Sequence, residues 1–159
     1  MSDVRTGVGY DAHAFGGDGP VVLCGVPIEH SSGVVGTSDA DVAVHAVCDA
    51  LLGAAAFGDL GQHFPSIAES SIDADSLEML TTCADMVHSD GYSIASVDVT
   101  IIAQEVMINP HREQMRMKLA EAASMPVERV SVKATTTDHL GWIGRKEGLA
   151  AHAVVTVAR

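Results

Sequence analysis

Residues 37–61 read T-S-D-A-D-V-A-V-H-A-V-C-D-A-L-L-G-A-A-A-F-G-D-L-G, and their periodicity predicts the helix around which the rest of the chain folds. Val42, Ala46, Ala50 and Ala54 form one row at helical spacing, with Val47, Leu51 and Ala55 beside it. Ser38 followed by Asp41 resembles a capping box with Asp in place of Glu, which predicts a start near Asp39. Gly58-Asp59-Leu60-Gly61 predicts the stop. Asp41, His45 and Asp49 lie four residues apart and form a second, polar row. Taken alone, that row reads better as the solvated face of an amphipathic helix than as a site. A second motif, Asp11-Ala12-His13, shifts the balance.

Composition bounds the answer. The chain has 159 residues, enough for one domain (1–159) with a real core, and 47 % of them are hydrophobic but only 4 % aromatic. The core must therefore be built from Ala, Val, Leu, Ile and Met. No run approaches the ~18 apolar residues of a membrane span, and the N-terminus carries no signal-peptide pattern. Cys24, Cys48 and Cys83 are odd in number and widely spaced, which predicts buried thiols in a reducing cytoplasm. Nine Lys and Arg stand against 21 Asp and Glu, a formal charge of −12. That balance excludes nucleic acid and anionic membranes as partners. A phosphate substrate would have to be balanced by metal ions and backbone N–H groups.

Taken in order, residues 4–15 predict a first strand, followed by the turn cluster Gly16-Gly17-Asp18-Gly19-Pro20. Residues 21–26 predict a second strand that forms a hairpin with the first, with Pro27 demoting its far end to an edge. After the central helix, residues 63–75 turn polar and irregular and predict a mobile loop. A second helix is predicted over 74–90, a buried strand over 93–104, and a third helix from an Asn109 cap with Pro110 at its first position. Strands over 130–135 and 149–158 close the chain, separated by Thr135-Thr136-Thr137-Asp138, which resembles a helix cap, and a Gly-bounded loop over 141–148. The order β-β-α-α-β-α-β-β predicts an α+β fold: a mixed, mostly antiparallel sheet with helices packed on one face.

Asp11 and His13 leave the same face of the first strand, and a helix packed across it can supply His45. One carboxylate and two imidazoles with an open fourth position is how a catalytic zinc is held. The spacing alone is weak, since the chain contains eight His. His30, His63, His88, His111, His139 and His152 are given no role. Asp49, one turn beyond His45, reads equally as an outer partner of the imidazole and as a helix-surface pair.

These stretches, together with D-V-T-I-I-A-Q (98–104) and V-K-A-T-T-T-D-H-L-G-W-I-G-R-K-E-G-L-A (132–150), resemble the 2-C-methyl-D-erythritol 2,4-cyclodiphosphate synthase family in order and spacing, over nearly the whole chain. The resemblance implies a lyase of the non-mevalonate isoprenoid pathway that closes a CDP ester of methylerythritol 2-phosphate into a cyclic diphosphate and releases CMP. It implies a homotrimer with active sites between subunits. It also implies one Zn²⁺ per subunit on Asp11, His13 and His45, and a second divalent cation, Mg²⁺ or Mn²⁺, that bridges the phosphates.

The family's substrate contacts fall on Asp11, His13, Thr37, Ser38, Asp59, Leu60, Gly61, Phe64, Pro65 and Ser66. The cytidine side falls on Ala103, Gln104, Glu105, Val106, Met107, Ile108 and Asn109, and on Thr135, Thr136, Thr137 and Asp138. Thr136 matches a hydroxyl that steadies the transition state, and Asp138 stands where Glu is usual and can bind the second metal. Trp142, Arg145 and Glu147 match a ring at the trimer axis, beside a cavity that takes isoprenoid diphosphates. Without the family, Asp59 reads as turn chemistry and the Thr run as a strand end plus cap.

Three positions depart from the pattern. Thr37 stands where the family usually has a His that stabilises charge on the diphosphate, so Thr37 is its catalytic counterpart with a weaker hydroxyl. Ser66 stands where Asp is common, and Glu105-Val106-Met107 replaces an Ala-Pro-Lys-like run. These changes leave two other readings open: a zinc enzyme that hydrolyses nucleotide diphosphates, and a trimeric zinc- or isoprenoid-diphosphate-binding protein with weak turnover.

Overall fold

A computed structural model describes residues 3–36, 38–65 and 75–159; Thr37, Ser66 and most of the irregular 63–75 stretch lie outside the described residues. Four strands form the main sheet: β1 (Val4–Ala14), β4 (Ser93–Ile102), β5 (Val130–Thr135) and β6 (Gly148–Ala158), in the order β1-β6-β4-β5. β6 runs antiparallel to both β1 and β4, while β4 and β5 are parallel. The parallel pair needs a crossover, supplied by helix α4 (Arg112–Ala122). The sheet is thus mixed and mostly antiparallel, as the sequence predicts.

Helix α1 (Val42–Ala55) lies against β1 and β6 and carries helix α3 (Ser76–Ser89) on another side. Eleven of its 14 residues are buried, so it is an inner helix rather than an amphipathic one. Its seat on the sheet is set by two glycines. A Cβ on Gly7 would lie 2.0 Å from the Ala50 carbonyl oxygen, and one on Gly9 would lie 1.9 Å from that of Ala46. No side chain fits there, so helix and strand backbones touch directly. The alternation of β1 places Gly7, Gly9, Asp11 and His13 on this helix-facing side, while Val8 and Tyr10 face outward and stay exposed.

The helix begins later and ends earlier than its sequence suggests. Asp41 is the N-cap, its Oδ1 accepting the Val44 N–H at 3.1 Å, so no capping box starts at Ser38. The chain leaves through Ala56 in the left-handed region (φ 62°), with the Phe57 N–H on the Leu52 carbonyl at 2.9 Å. Gly58 to Gly61 then starts a separate short helix, α2 (Leu60–His63).

The predicted hairpin between the first two strands does not form. The 21–26 run is folded back on itself as β2 (Val21–Leu23) and β3 (Val26–Ile28). Cys24 and Gly25 between them both take positive φ, 50° and 70°, the backbone of a two-residue hairpin turn. β1 instead pairs along its whole length with β6, from the other end of the chain. Asn109 is not a side-chain cap: residues Asn109–His111 make a 3-10 turn before α4, and Asn109 Oδ1 accepts from Arg112 at 2.7 Å. The Thr135–Asp138 run ends β5 without capping a helix. The Asp138 N–H turns back to Thr136 Oγ1 at 3.2 Å, and a short helix, α5 (Gly141–Gly144), follows from Leu140 with no side-chain cap. Among the described residues no helix is long and apolar enough to cross a membrane.

Two predictions follow from this packing. Gly9→Ala should cost about 3 kcal/mol, the upper end for overpacking, read by urea denaturation; wild-type stability would mean that α1 is not seated on the β1 backbone. Asp41 is fully buried, and burial pushes its carboxyl up to about 6 against the lowering effect of the backbone N–H groups of Gly25, Val44 and Cys24. A folded-state value above the unfolded one means the folded chain holds the proton more tightly, so stability is greatest below the unfolded value and falls as pH rises through about 6. Wild type should therefore lose on the order of 3 kcal/mol between pH 4 and 6 relative to Asp41→Asn, and parallel pH profiles for the two would contradict it.

Candidate active site

The inner face of β1 and the first turns of α1 bring three side chains together. Asp11 Oδ2 lies 3.0 Å from His13 Nε2 and 3.0 Å from His45 Nδ1. One ligand atom from each of Asp11, His13 and His45 lies within 4.8 Å of the others, a group able to hold a metal ion. Burial pushes the Asp11 carboxyl up, but hydrogen bonds and charge from both imidazoles outweigh it and hold the group well below the usual carboxylate range. The hydrogen bond to Asp11 raises His13 in turn, against its desolvation.

Each imidazole is held from behind. His13 Nδ1 lies 2.7 Å from the Val35 carbonyl. His45 Nε2 lies 2.9 Å from Ser76 Oγ and 3.3 Å from Ser38 Oγ. Ser38 is thus beside the metal group, where the sequence had placed it in a cap. Asp49 gives its hydrogen bond elsewhere than to His45: its Oδ1 accepts the Leu60 N–H at 2.7 Å and anchors the start of α2 to α1. Asp59 caps α2, taking the Gln62 N–H at 3.0 Å, and Leu60 and Gly61 follow it in that helix. Phe64 closes α2, with its N–H on the Leu60 carbonyl at 2.8 Å, and exposed Pro65 ends this described stretch.

A second cluster forms at the C-terminal ends of β4 and β5. Ala103 to Asn109, with Ala134, Thr135 and Thr136, line a cavity of about 590 Å³. Such a position, beyond the carboxyl ends of parallel strands, is where open α/β sheets take ligands. The Gln104 side chain accepts the His139 N–H at 3.1 Å and pins this loop to the turn after β5. Thr137, Asp138, Trp142 and Arg145 are not part of the lining, and neither are Asp11, His13, His45 or Asp59. Arg145 pairs with Glu147 at 2.6 Å, and Lys146 pairs with Glu105.

Sequence reasoning missed His30 and Ser31, which line the cavity, and Ser76 with Asp39 behind His45. The aromatic stacking of His30 on Phe15, 4.9 Å between ring centres, joins positions 15 residues apart. No local pattern signals such a contact.

A profile of the YgbB family matches residues 4–158. The chain belongs to the YgbB family. Among its relatives, the 2-C-methyl-D-erythritol 2,4-cyclodiphosphate synthase of Thioalkalivibrio sulfidiphilus is 50 % identical over 157 residues, 99 % of this chain and 98 % of that one. The protein of the same name from Idiomarina loihiensis is 47 % identical, covering 96 % of each. Of solved YgbB-like folds, the bifunctional IspDF of Campylobacter jejuni superposes with a TM-score of 0.95 at 36 % identity, over 99 % of this chain and 43 % of that longer one. A CDP complex of Plasmodium falciparum IspF gives 0.85 at 28 % identity, over 97 % of this chain and 95 % of that one. The metal group and the cavity therefore sit in a fold whose solved relatives include a nucleotide complex.

His45→Ala should abolish tight Zn²⁺ binding, measured by competition with a chelator; stoichiometric, undiminished binding would remove His45 from the ligand set.

Proposed function

We propose that this YgbB-family chain, as one domain over residues 1–159, is a 2-C-methyl-D-erythritol 2,4-cyclodiphosphate synthase. In this reading it converts 4-CDP-2-C-methyl-D-erythritol 2-phosphate to the cyclic diphosphate with release of CMP. The observation that carries the reading is 50 % identity over 99 % of the chain to a synthase of that name, joined to a metal-holding group on β1 and α1.

The substrate brings its own nucleophile: an oxygen of the 2-phosphate forms the new bond to the β-phosphorus, and the bond to the CMP oxygen breaks. The protein's task is then placement and charge balance, and placement alone can supply about 7–11 kcal/mol. Asp11, His13 and His45 are the residues that would hold Zn²⁺; their mixed carboxylate and imidazole set suits that ion. When bound, the ion supplies Lewis-acid polarisation at phosphorus and a template for the phosphates.

The remaining roles belong to the chain. Backbone groups of residues 103–109 and 135–138 hold the cytidine half. Asp59, Leu60 and Gly61, fixed by Asp49, with Phe64, Pro65 and Ser66, receive the diol. Ser38 holds phosphate, and Thr37 and Thr136 donate to the charge that develops. Metal rather than Lys or Arg supplies the counter-charge in this reading, because Arg145 and Lys146 are already paired with carboxylates and Arg112 is held by Asn109. Asp138 would hold a second divalent ion, Mg²⁺ or Mn²⁺, which would add to that balance.

The single-chain cavity lacks the metal ligands, which supports a site completed by a neighbouring copy. Val4 and Val8, each 59 % exposed, and Tyr10, 54 % exposed, stand on the outer face of β1. An apolar sheet face of this kind is suited to cover by other copies, and a homotrimer meets both requirements. Trp142, Arg145 and Glu147 would then ring its axis, beside a cavity for an isoprenoid diphosphate. Three free, buried thiols suit the cytoplasm.

CMP release from the CDP ester, followed with Zn²⁺ and Mg²⁺ present and with the product read by phosphorus NMR, tests this reading. Cyclic diphosphate is expected; hydrolysed phosphates, or no CMP from zinc-loaded protein, would overturn it. Thr37→His should raise turnover several-fold, and an unchanged or slower rate would show that the imidazole is not needed here.

A further inference from the structure

We propose that Ser76, anchored by Asp39, is a positioning residue of the metal centre. It takes the proton of His45 Nε2, so that Nδ1, the atom that faces Asp11, is the nitrogen turned to ligate a metal ion. The inference rests on the metal-dependent reading above and extends it to residues on another helix.

Ser76 is fully buried and is the first residue of α3. Its hydroxyl oxygen lies 2.9 Å from His45 Nε2. The same hydroxyl contacts Asp39 Oδ1, and the Ser76 N–H donates to Asp39 Oδ2 at 3.1 Å. A carboxylate only accepts. The Ser76 hydroxyl proton is therefore committed to Asp39, and only the oxygen lone pairs remain for His45. His45 must then donate from Nε2, which turns Nδ1 toward Asp11 as the nitrogen that would ligate a metal ion.

His13 is fixed the opposite way. A carbonyl also only accepts, so His13 donates from Nδ1 to Val35 at 2.7 Å and turns Nε2 toward Asp11. The two rings thus present different nitrogens to one carboxylate oxygen, each at 3.0 Å. Ser38 cannot set His45 by itself. Its oxygen is farther away, at 3.3 Å, and is shared with the Ala40 N–H at 3.2 Å. Asp39 also takes the Asp41 N–H at 3.3 Å, so the same carboxylate joins the entry to α1, the start of α3 and the metal centre. Groups that orient a ligating imidazole typically change metal affinity 10–100-fold when removed.

The test compares wild type, Ser76→Ala, Ser76→Thr and Asp39→Asn. Two readouts are used: Zn²⁺ affinity by chelator competition, and imidazole nitrogen-15 shifts of the proteins at saturating Zn²⁺. Ser76→Ala should weaken Zn²⁺ about 10–100-fold, and Ser76→Thr, which keeps the hydroxyl, should restore most of it. Asp39→Asn puts an amide donor where an acceptor stood. The Ser76 proton should then turn to His45 Nε2 and compete with the ring proton there, seen as weaker Zn²⁺ binding and a displaced Nε2 shift. Unchanged shifts and affinity in Ser76→Ala would overturn the proposal. Should that variant not fold, unchanged shifts in Asp39→Asn would do so. Weak Zn²⁺ binding by wild type would instead overturn the metal-dependent reading, while the nitrogen shifts at saturating Zn²⁺ would still decide the role of Ser76.

Discussion

The direct contact between the β1 backbone and the α1 backbone is the constraint on which the rest of the molecule depends. Gly7 and Gly9 leave no room for a Cβ beneath Ala46, Ala50 and Ala54. The strand repeats every two residues, so the face that begins with these glycines continues into Asp11 and His13. The helix places His45 one residue before Ala46. Three ligands from two elements thereby meet around one carboxylate oxygen at 3.0 Å. A packing contact made of the smallest side chains thus sets the geometry of this candidate metal group, and interiors this dense resist displacement.

The carboxylates around α1 have a common task. Asp41 takes the Gly25 N–H at 2.7 Å and fixes the β2–β3 turn. Asp39 takes the Ser76 N–H at 3.1 Å and fixes the start of α3. Asp49 takes the Leu60 N–H at 2.7 Å and fixes α2. Each satisfies a backbone donor that burial would otherwise leave at a cost of about 1–3 kcal/mol. The acidic excess on this helix is therefore largely structural. It fixes the segments that carry Asp59, Leu60 and Gly61 on one side and Ser76 on the other.

The two clusters of candidate residues have different mechanical origins. The metal group is built on regular elements packed in the core, whereas the cavity is built from loops beyond the ends of β4 and β5. Those loops are tied across by Gln104 to His139 at 3.1 Å. Of the cations beside them, Arg145 and Lys146 are engaged by carboxylates and Arg112 by Asn109, which suits a phosphate ligand balanced by metal ions and backbone donors. An acidic chain that handles phosphates needs such a division of labour.

Much was legible in the sequence. The Ala-Val periodicity announced α1, the β-branched run announced β4, and D-x-H on a strand with His45 on a helix gave the metal group, because each rests on a fixed local repeat. The 21–26 run misled because its apolar pattern is the same in one strand as in two, and only positive φ at Cys24 and Gly25 divides it. The β1–β6 pairing, the task of Asp49 and the place of Ser76 behind His45 are contacts between distant parts of the chain. The sequence by itself determined that Asp11 and His13 share one face of a strand and that His45 rides on a helix, since periodicity is a property of neighbours along the chain. Tertiary structure alone decided which carboxylates serve as backbone anchors and which nitrogen each imidazole turns toward Asp11, because both depend on donors and acceptors that only folding brings within hydrogen-bond reach.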